Sequence, residues 1–300
     1  MISNPSFGND GDGRDNNPTD AGDWCLASER NDPQNSLCYD KSCAPNCSDD
    51  PSSWHGLHVT GTIGATSNNS TGVSGIDWNC RILPVRVLGK GGGYSSDLAD
   101  AIVWASGGSV NGVPNNSNPA KVINMSLGGV GSCPTEVQNA INYAVSRGIS
   151  VIVAAGNNNS DASGFWPCNC SGVMCVAAVD RDGNRASYSN YGSNVFISAC
   201  GGSSSGLIWS TLNTGTTTPI PSPSGDTYAG YAGTSMATPH VSGVVSLMIG
   251  FKPSLTLDEI RYNLRKTAKS FPANSSCNTN ICGAGIIDAY NALNNLVISI

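Results

Sequence analysis

Charge is scarce in this sequence. Lys, Arg, Asp and Glu make up 12% of the 300 residues, and the net charge is -6. The few basic residues are scattered, so there is no electrostatic footprint for nucleic acid. No apolar run is long enough to span a bilayer, which argues against a membrane partner. The start, Met1-Ile2-Ser3-Asn4-Pro5, has neither the basic nor the apolar region of a signal peptide. Histidine is rare, at three residues. Cys43-x3-Cys47 and Cys168-x-Cys170 have spacings that zinc sites use, but the histidines stand in other segments, which argues against zinc.

Cysteine and small residues are plentiful. Twelve cysteines, an even count, point to disulfides and an oxidising compartment. Cys277-x4-Cys282 reads as a local disulfide loop, and the remaining pairings stay open. This secreted-type composition without an export signal leads us to expect that the natural precursor begins upstream of Met1. The 36 glycines suggest a tightly packed body with many turns. Acidity gathers early, at Asp10, Asp12, Asp15, Asp20, Asp23, Asp32, Asp49 and Asp50. Such Asp-rich loops are either solvated or chelate hard cations.

Residues 1–54 read as an Asp- and Cys-rich loop region, and 55–300 as the main body of a single domain. Residues 81–88, Lys121–Met125, Ile149–Ala155, Val173–Val179 and Val195–Ala199 read as strands. Ile149–Ala155 is continuously apolar, the mark of a buried parallel strand. Helices are predicted from a cap at Ser96, over Pro134–Arg147, over Ser235–Gly250, and after the capping box Thr256-Leu-Asp-Glu259. A last helix is predicted over Ile286–Leu296. The stretch from Asn213 to Asp226, rich in Thr, Pro, Gly and Ser, reads as a long surface loop. Alternating strands and helices imply an α/β three-layer sandwich, a mainly parallel sheet with helices on both faces.

Three segments carry chemistry. In Gly233-Thr-Ser-Met-Ala-Thr-Pro-His240, Ser235 opens an apolar helix, where unpaired N–H groups and the helix dipole favour a developing oxyanion. By itself that octet reads equally well as an N-cap Ser beside a turn proline. In Ser53-Trp-His-Gly-Leu-His-Val-Thr-Gly-Thr62, His55 starts an apolar helix at the rim of the sheet, where a general base would sit, while His58 is better read as packing. Val151-Ile-Val-Ala-Ala-Gly-Asn157 ends a buried strand, which places the Asn157 amide at the carboxyl edge of the sheet.

Together these segments closely resemble the subtilisin-like serine proteases. His-Gly-x-His-Val-x-Gly-Thr matches at His55, Ala-Ala-Gly-Asn at Asn157 and Gly-Thr-Ser-Met-Ala-x-Pro-His at Ser235, in the family's order. The cysteine usage and Asp-rich start look most like the secreted alkaline proteases of Gram-negative bacteria. The resemblance implies a serine endopeptidase acting through an acyl-enzyme on Ser235, with His55 as base and Asn157 as oxyanion donor. It further implies one pocket wall from Ser126, Leu127 and Gly128, another from Ala154, Ala155 and Gly156, and a facing edge at Gly91, Gly92 and Gly93. Two edges clasping an extended peptide or protein chain imply broad specificity. The plain alternative for those glycines is a turn.

One or two structural calcium ions are expected, each with its own loop. By resemblance, Asn69 would donate its side chain and Ser67, Thr71 and Val73 their carbonyls. The Gly-rich turn with Asp10, Asp12, Arg14 and Asp15, followed by Asp20 and Asp23, is the second candidate. Its alternative is a solvated acidic loop.

The family's triad also has an Asp in Asp-Ser-Gly or Asp-Thr-Gly, and neither tripeptide occurs here. The expectation is that this Asp and the first strand lie before Met1. Losing that carboxylate costs about 10⁴ in turnover in well-studied triads. Hence the alternative to an active, extracellular, monomeric endopeptidase is a catalytically crippled peptide-binding domain. An esterase is a weaker alternative, because the Gly-x-Ser-x-Gly elbow is missing around Ser235.

Overall fold

A computed structural model describes residues 1–298. The chain forms two compact units. The first holds residues 1–57, 83–119 and 212–227; the second holds 58–82, 120–211 and 228–300.

The first unit is mostly loop, as its polar start predicts. It contains the single-turn helices α1 (Pro5–Gly8) and α2 (Ala27–Arg30), the opening of α3 (His55–Gly64), and α4 (Ser95–Ala105). A small apolar content calls for other fastenings. Cys25–Cys38 and Cys43–Cys47 are disulfides. Asp97 is fully buried on α4 and compensated by the Ser3 N–H at 2.8 Å and the Arg14 guanidinium at 2.8 Å. Those donors hold its carboxyl below the usual range against the opposing effect of burial. The α4 N-cap is Tyr94; Ser96, the predicted cap, is already helical. Residues 81–88 are not a strand: the segment is rich in apolar residues, but no strand takes it as a partner.

The second unit is built on a parallel sheet. Its strands are β1 (Val122–Met125), β3 (Ser150–Ala154), β5 (Met174–Val179) and β6 (Val195–Cys200), in the order β1-β3-β5-β6. β3 and β5 are buried along their whole length, which explains why every residue but Ser150 is apolar. α5 (Thr135–Ser146) packs on β3, and α6 (Thr234–Phe251) lies along all four strands. Pro134 is the α5 N-cap rather than its first helical residue, and Gly148 follows the helix at φ +74°.

Ile152, Met174, Ile197, Val245, Met248 and Leu264 lie in the core between sheet and helices. The predicted capping box opens α7 (Leu257–Thr267), with the Thr256 N–H donating to Glu259 at 2.8 Å. α8 spans Ala289–Ile298, starting three residues later than predicted. Two small antiparallel pairs complete the architecture: β2 (Gly129–Val130) with β4 (Phe165–Trp166), and β7 (Ile208–Asn213) with β8 (Asp226–Tyr231). The sequence reading missed both. Disulfides Cys133–Cys170, Cys168–Cys175 and Cys277–Cys282 fasten this unit, the last as predicted. Cys80 and Cys200 are free thiols.

Candidate active site

α6 begins at Thr234, so Ser235 is its second residue. Its N–H has no carbonyl four residues back within the helix, and the dipole makes this turn electropositive. Pro239, four residues on, has no N–H with which to bond the Ser235 carbonyl. The Ser126 hydroxyl donates to that carbonyl instead, at 2.8 Å. The Ser235 hydroxyl donates to the Ser126 carbonyl at 3.3 Å. Asn124 Nδ2 donates to Ser126 Oγ at 3.1 Å, and Ser242 Oγ donates to Asn124 Oδ1 at 2.8 Å. Polar side chains thus tie the end of β1 to α6 at two points.

Asn157 lies just beyond β3. Its Oδ1 accepts from the Thr234 N–H at 2.8 Å and from Thr234 Oγ1 at 2.9 Å. Thr234 Oγ1 in turn accepts the Gly156 N–H at 3.1 Å. With the amide oxygen held twice, the direction of Nδ2 is set, and among the described residues Nδ2 has no acceptor of its own.

Asn157, Thr234 and Ser235 border a cavity of about 240 Å³. Leu127, Gly128, Ala154, Ala155 and Gly156 are among the residues that line it. Gly129, Val130, Asn158, Phe165 and Trp166 complete the lining, and no charged side chain is among them. β2 pairs Gly129 with Trp166 of β4. A side chain at Gly129 would meet the Trp166 indole, so glycine there lets the two walls close on each other. Ser126 stands behind the cavity rather than in its lining. Sequence reasoning assigned no part to Thr234, Phe165 or Trp166. Thr234 had a signal, its place in the octet; the two aromatics had none beyond lying near cysteines.

His55 is the first residue of α3 and half-buried. Its N–H takes Ser53 Oγ as acceptor at 3.3 Å, while the Ser53 N–H and hydroxyl both donate to Asp23, at 2.7 and 2.6 Å. Asp23 thus steadies the turn into α3. His58 is buried. Its single Nε2–H is shared between the Ile208 and Ala229 carbonyls, at 3.1 and 3.0 Å, and its ring stacks on Tyr231. That bonding assigns the proton to Nε2 and agrees with the packing role read from sequence. Burial lowers the pKa of His58 and of His240.

The other expected residues are placed as follows. Gly91 and Gly92 form a tight turn, with φ of +77° and +118°. Gly89 and Gly92 exchange both backbone bonds, so Gly92 has neither group open toward a substrate strand. Gly93 follows just outside. Asp10 pairs with Arg86 at 3.1 Å, Arg14 with Asp97 and Asp100, and Asp15 and Asp20 accept nearby backbone N–H groups. Asp20 also pairs with Arg86, at 3.6 Å, so Asp10 and Asp20 share one guanidinium. Asp12 is exposed.

Ser67–Val73 is an exposed loop with Asn68 at φ +58°, Ser70 at +58° and Gly72 at +65°. Asn69 Oδ1 accepts the Thr71 N–H at 3.2 Å. Its donor set is all oxygen, the chemistry a hard cation takes. Among the described residues, the one trio of metal-ligating atoms is Asp40, Cys43 and Cys47, and its two sulfurs are joined in a disulfide.

A model of the Subtilase family matches residues 11–285. The chain belongs to the subtilase family. Among subtilases, it is 51% identical over 290 residues to an extracellular protease of Xanthomonas campestris pv. campestris. It is 43% identical over 303 residues to an extracellular basic protease of Dichelobacter nodosus. These matches cover 96% and 98% of the chain but only 46% of each relative, so the chain spans less than half the length of these curated subtilases. A solved structure of proteases from Pseudoalteromonas arctica matches with a TM-score of 0.87 and 49% identity, covering 98% of this chain and 82% of that one. The α/β subtilisin-like fold expected from the sequence is thereby borne out. Among the described residues, no helix is long and apolar enough to cross a membrane.

Proposed function

We propose that this subtilase is an extracellular serine endopeptidase that hydrolyses peptide bonds in extended protein substrates. Ser235 attacks the scissile carbonyl, His55 takes its proton and returns it to the leaving amine, and Asn157 Nδ2 with the Ser235 N–H holds the oxyanion. The observation that carries this reading is that Asn157 is hydrogen-bonded to Thr234, the chain neighbour of Ser235, and that all three border one uncharged cavity. A hydroxyl at a helix N-terminus beside a fixed amide donor is the set that acyl transfer needs. The role of His55 is supported by its motif and by the Asp23–Ser53 anchoring of its turn.

Leu127 and Gly128 form one wall of the primary pocket, with Ser126 outside the lining and bonded to Ser235, and Ala154, Ala155 and Gly156 form the other. Phe165, Trp166 and the lack of charge suit an apolar side chain of the substrate. The oxygen-rich Ser67–Val73 loop is the favoured site for a structural calcium. The enzyme works as a monomer.

The test is labelling with a fluorophosphonate probe alongside casein hydrolysis. The chain should label and Ser235→Ala should not; Asn157→Ala should lose about 10²–10³ in kcat. Folded protein that neither labels nor hydrolyses casein, but binds a peptide inhibitor, would instead be the crippled peptide-binding domain.

A further inference from the structure

We infer that Asn190 is the positioning residue of the oxyanion loop, holding residues 155–160 in the shape that aims the Asn157 amide at the Ser235 cavity. Its catalytic consequence rests on the protease reading above; its geometric content does not.

The loop leaves the sheet after β3 and has no helix or strand of its own up to Ser160. Its backbone groups must therefore find partners elsewhere. Asn190 supplies four. Its Nδ2 donates to the Ala155 carbonyl at 2.9 Å. Its Oδ1 accepts the Asn158 N–H at 2.9 Å and the Ser160 N–H at 3.1 Å. Its own N–H donates to the Gly156 carbonyl at 2.9 Å. The backbone is fastened on both sides of Asn157, whose side chain is left to reach the cavity.

Asn190 is itself referenced to the sheet. Ser189 Oγ donates to the Asn190 carbonyl at 2.9 Å and accepts the Ala178 N–H of β5 at 2.9 Å. Fully buried, Asn190 has no water to replace a lost partner. The residue type is closely specified. Asp keeps both acceptor bonds but has no donor for the Ala155 carbonyl and buries a charge. Leu keeps the volume and loses all three side-chain bonds. Thr234 holds the Asn157 amide oxygen, and Asn190 holds the backbone beneath it. Asn190 is not itself in the cavity lining and makes no bond to Ser235; it acts through the backbone of the lining residues Ala155, Gly156 and Asn158, which flank Asn157.

A double-mutant cycle between positions 190 and 157 separates positioning from general stability. Asn190→Ala is expected to lower kcat by up to about 10²-fold, the scale of a misplacement near 1 Å. KM should move less than about threefold, because an interaction made only in the transition state is lost. In an Asn157→Ala background the same change should cost less than about threefold. Additive losses in the two backgrounds, or a loss carried by KM, would overturn the inference.

Amide hydrogen exchange on Ser235→Ala protein, which cannot digest itself, needs neither activity nor a change at 190. The Asn158 and Ser160 amides should be protected, and Asn190→Ser should speed those two above their neighbours. If they exchange freely with Asn190 in place, the inference falls. An unsubstituted chain that neither labels nor hydrolyses overturns the protease reading instead, which the exchange data tell apart.

Discussion

Thr234 spends both of its donors on one acceptor. Its N–H and hydroxyl converge on Asn157 Oδ1, and the same hydroxyl oxygen receives the Gly156 N–H. Thr234→Val keeps the shape and removes the hydroxyl bonds. We expect kcat to fall, by less than the about 10²–10³-fold of losing the Asn157 donor outright, with KM little changed. Initial rates on a peptide amide check this, and Thr234→Ser should restore most of the loss. His58 and His240 bear on pH. Burial lowers both pKa values in the fold, whereas an unfolded His takes its proton near about 6.5. Between those values the unfolded chain binds more protons, so stability rises with pH. The contribution is complete above the unfolded pKa and is lost as pH falls through the folded one. Thermal unfolding should show Tm dropping from pH 7 toward pH 5, and His58→Gln should flatten that slope.

At the scale of elements, β2 and β4 are two residues each, too short to persist unaided. Cys133–Cys170 joins the segment after β2 to the segment after β4, across 37 positions. Replacing both cysteines by Ser should cost about 2–4 kcal/mol. It should also raise KM for substrates with a large apolar side chain in the pocket, because Phe165 and Trp166 lose their restraint. Urea unfolding and steady-state kinetics on one preparation read both effects. The pocket also shows where sequence legibility stopped. β1, β3, β5, β6, α5, α6 and α7 were readable because each carries its own signal, a mostly apolar run, a helical period or a capping box. Residues 81–88 have the apolar content of a strand but lack a neighbour, and pairing makes a strand. The β7–β8 ribbon has the opposite history: polar, poorly patterned segments become strands because each supplies the other's partners. Ser235 and Asn157 were legible from local motifs. Phe165 and Trp166 were not, because disulfides between distant cysteines bring them to the site.

For the whole molecule, fastening replaces bulk. The first unit carries two disulfides and a buried ion pair, the second three disulfides and the sheet core. The Ser67–Val73 loop is exposed, and a side chain at Gly72 would run into the Tyr228 ring. A calcium ion bound there would couple that loop to global stability. Saturation at 100 times Kd adds about 2.7 kcal/mol. A chelator should therefore lower Tm and added calcium restore it. Asn69→Ala should remove the calcium dependence while leaving the reducing-agent sensitivity of the disulfides untouched.

Gly156 sits at φ +101°, and any side chain there would collide with Asn190 Nδ2. The two positions are therefore linked in how they can diverge. Shrinking residue 190 makes room at 156 yet leaves its backbone strained, so neither order of single steps opens a neutral path. Descendants of this chain should carry the pair forward together, or exchange it only along with the loop between them.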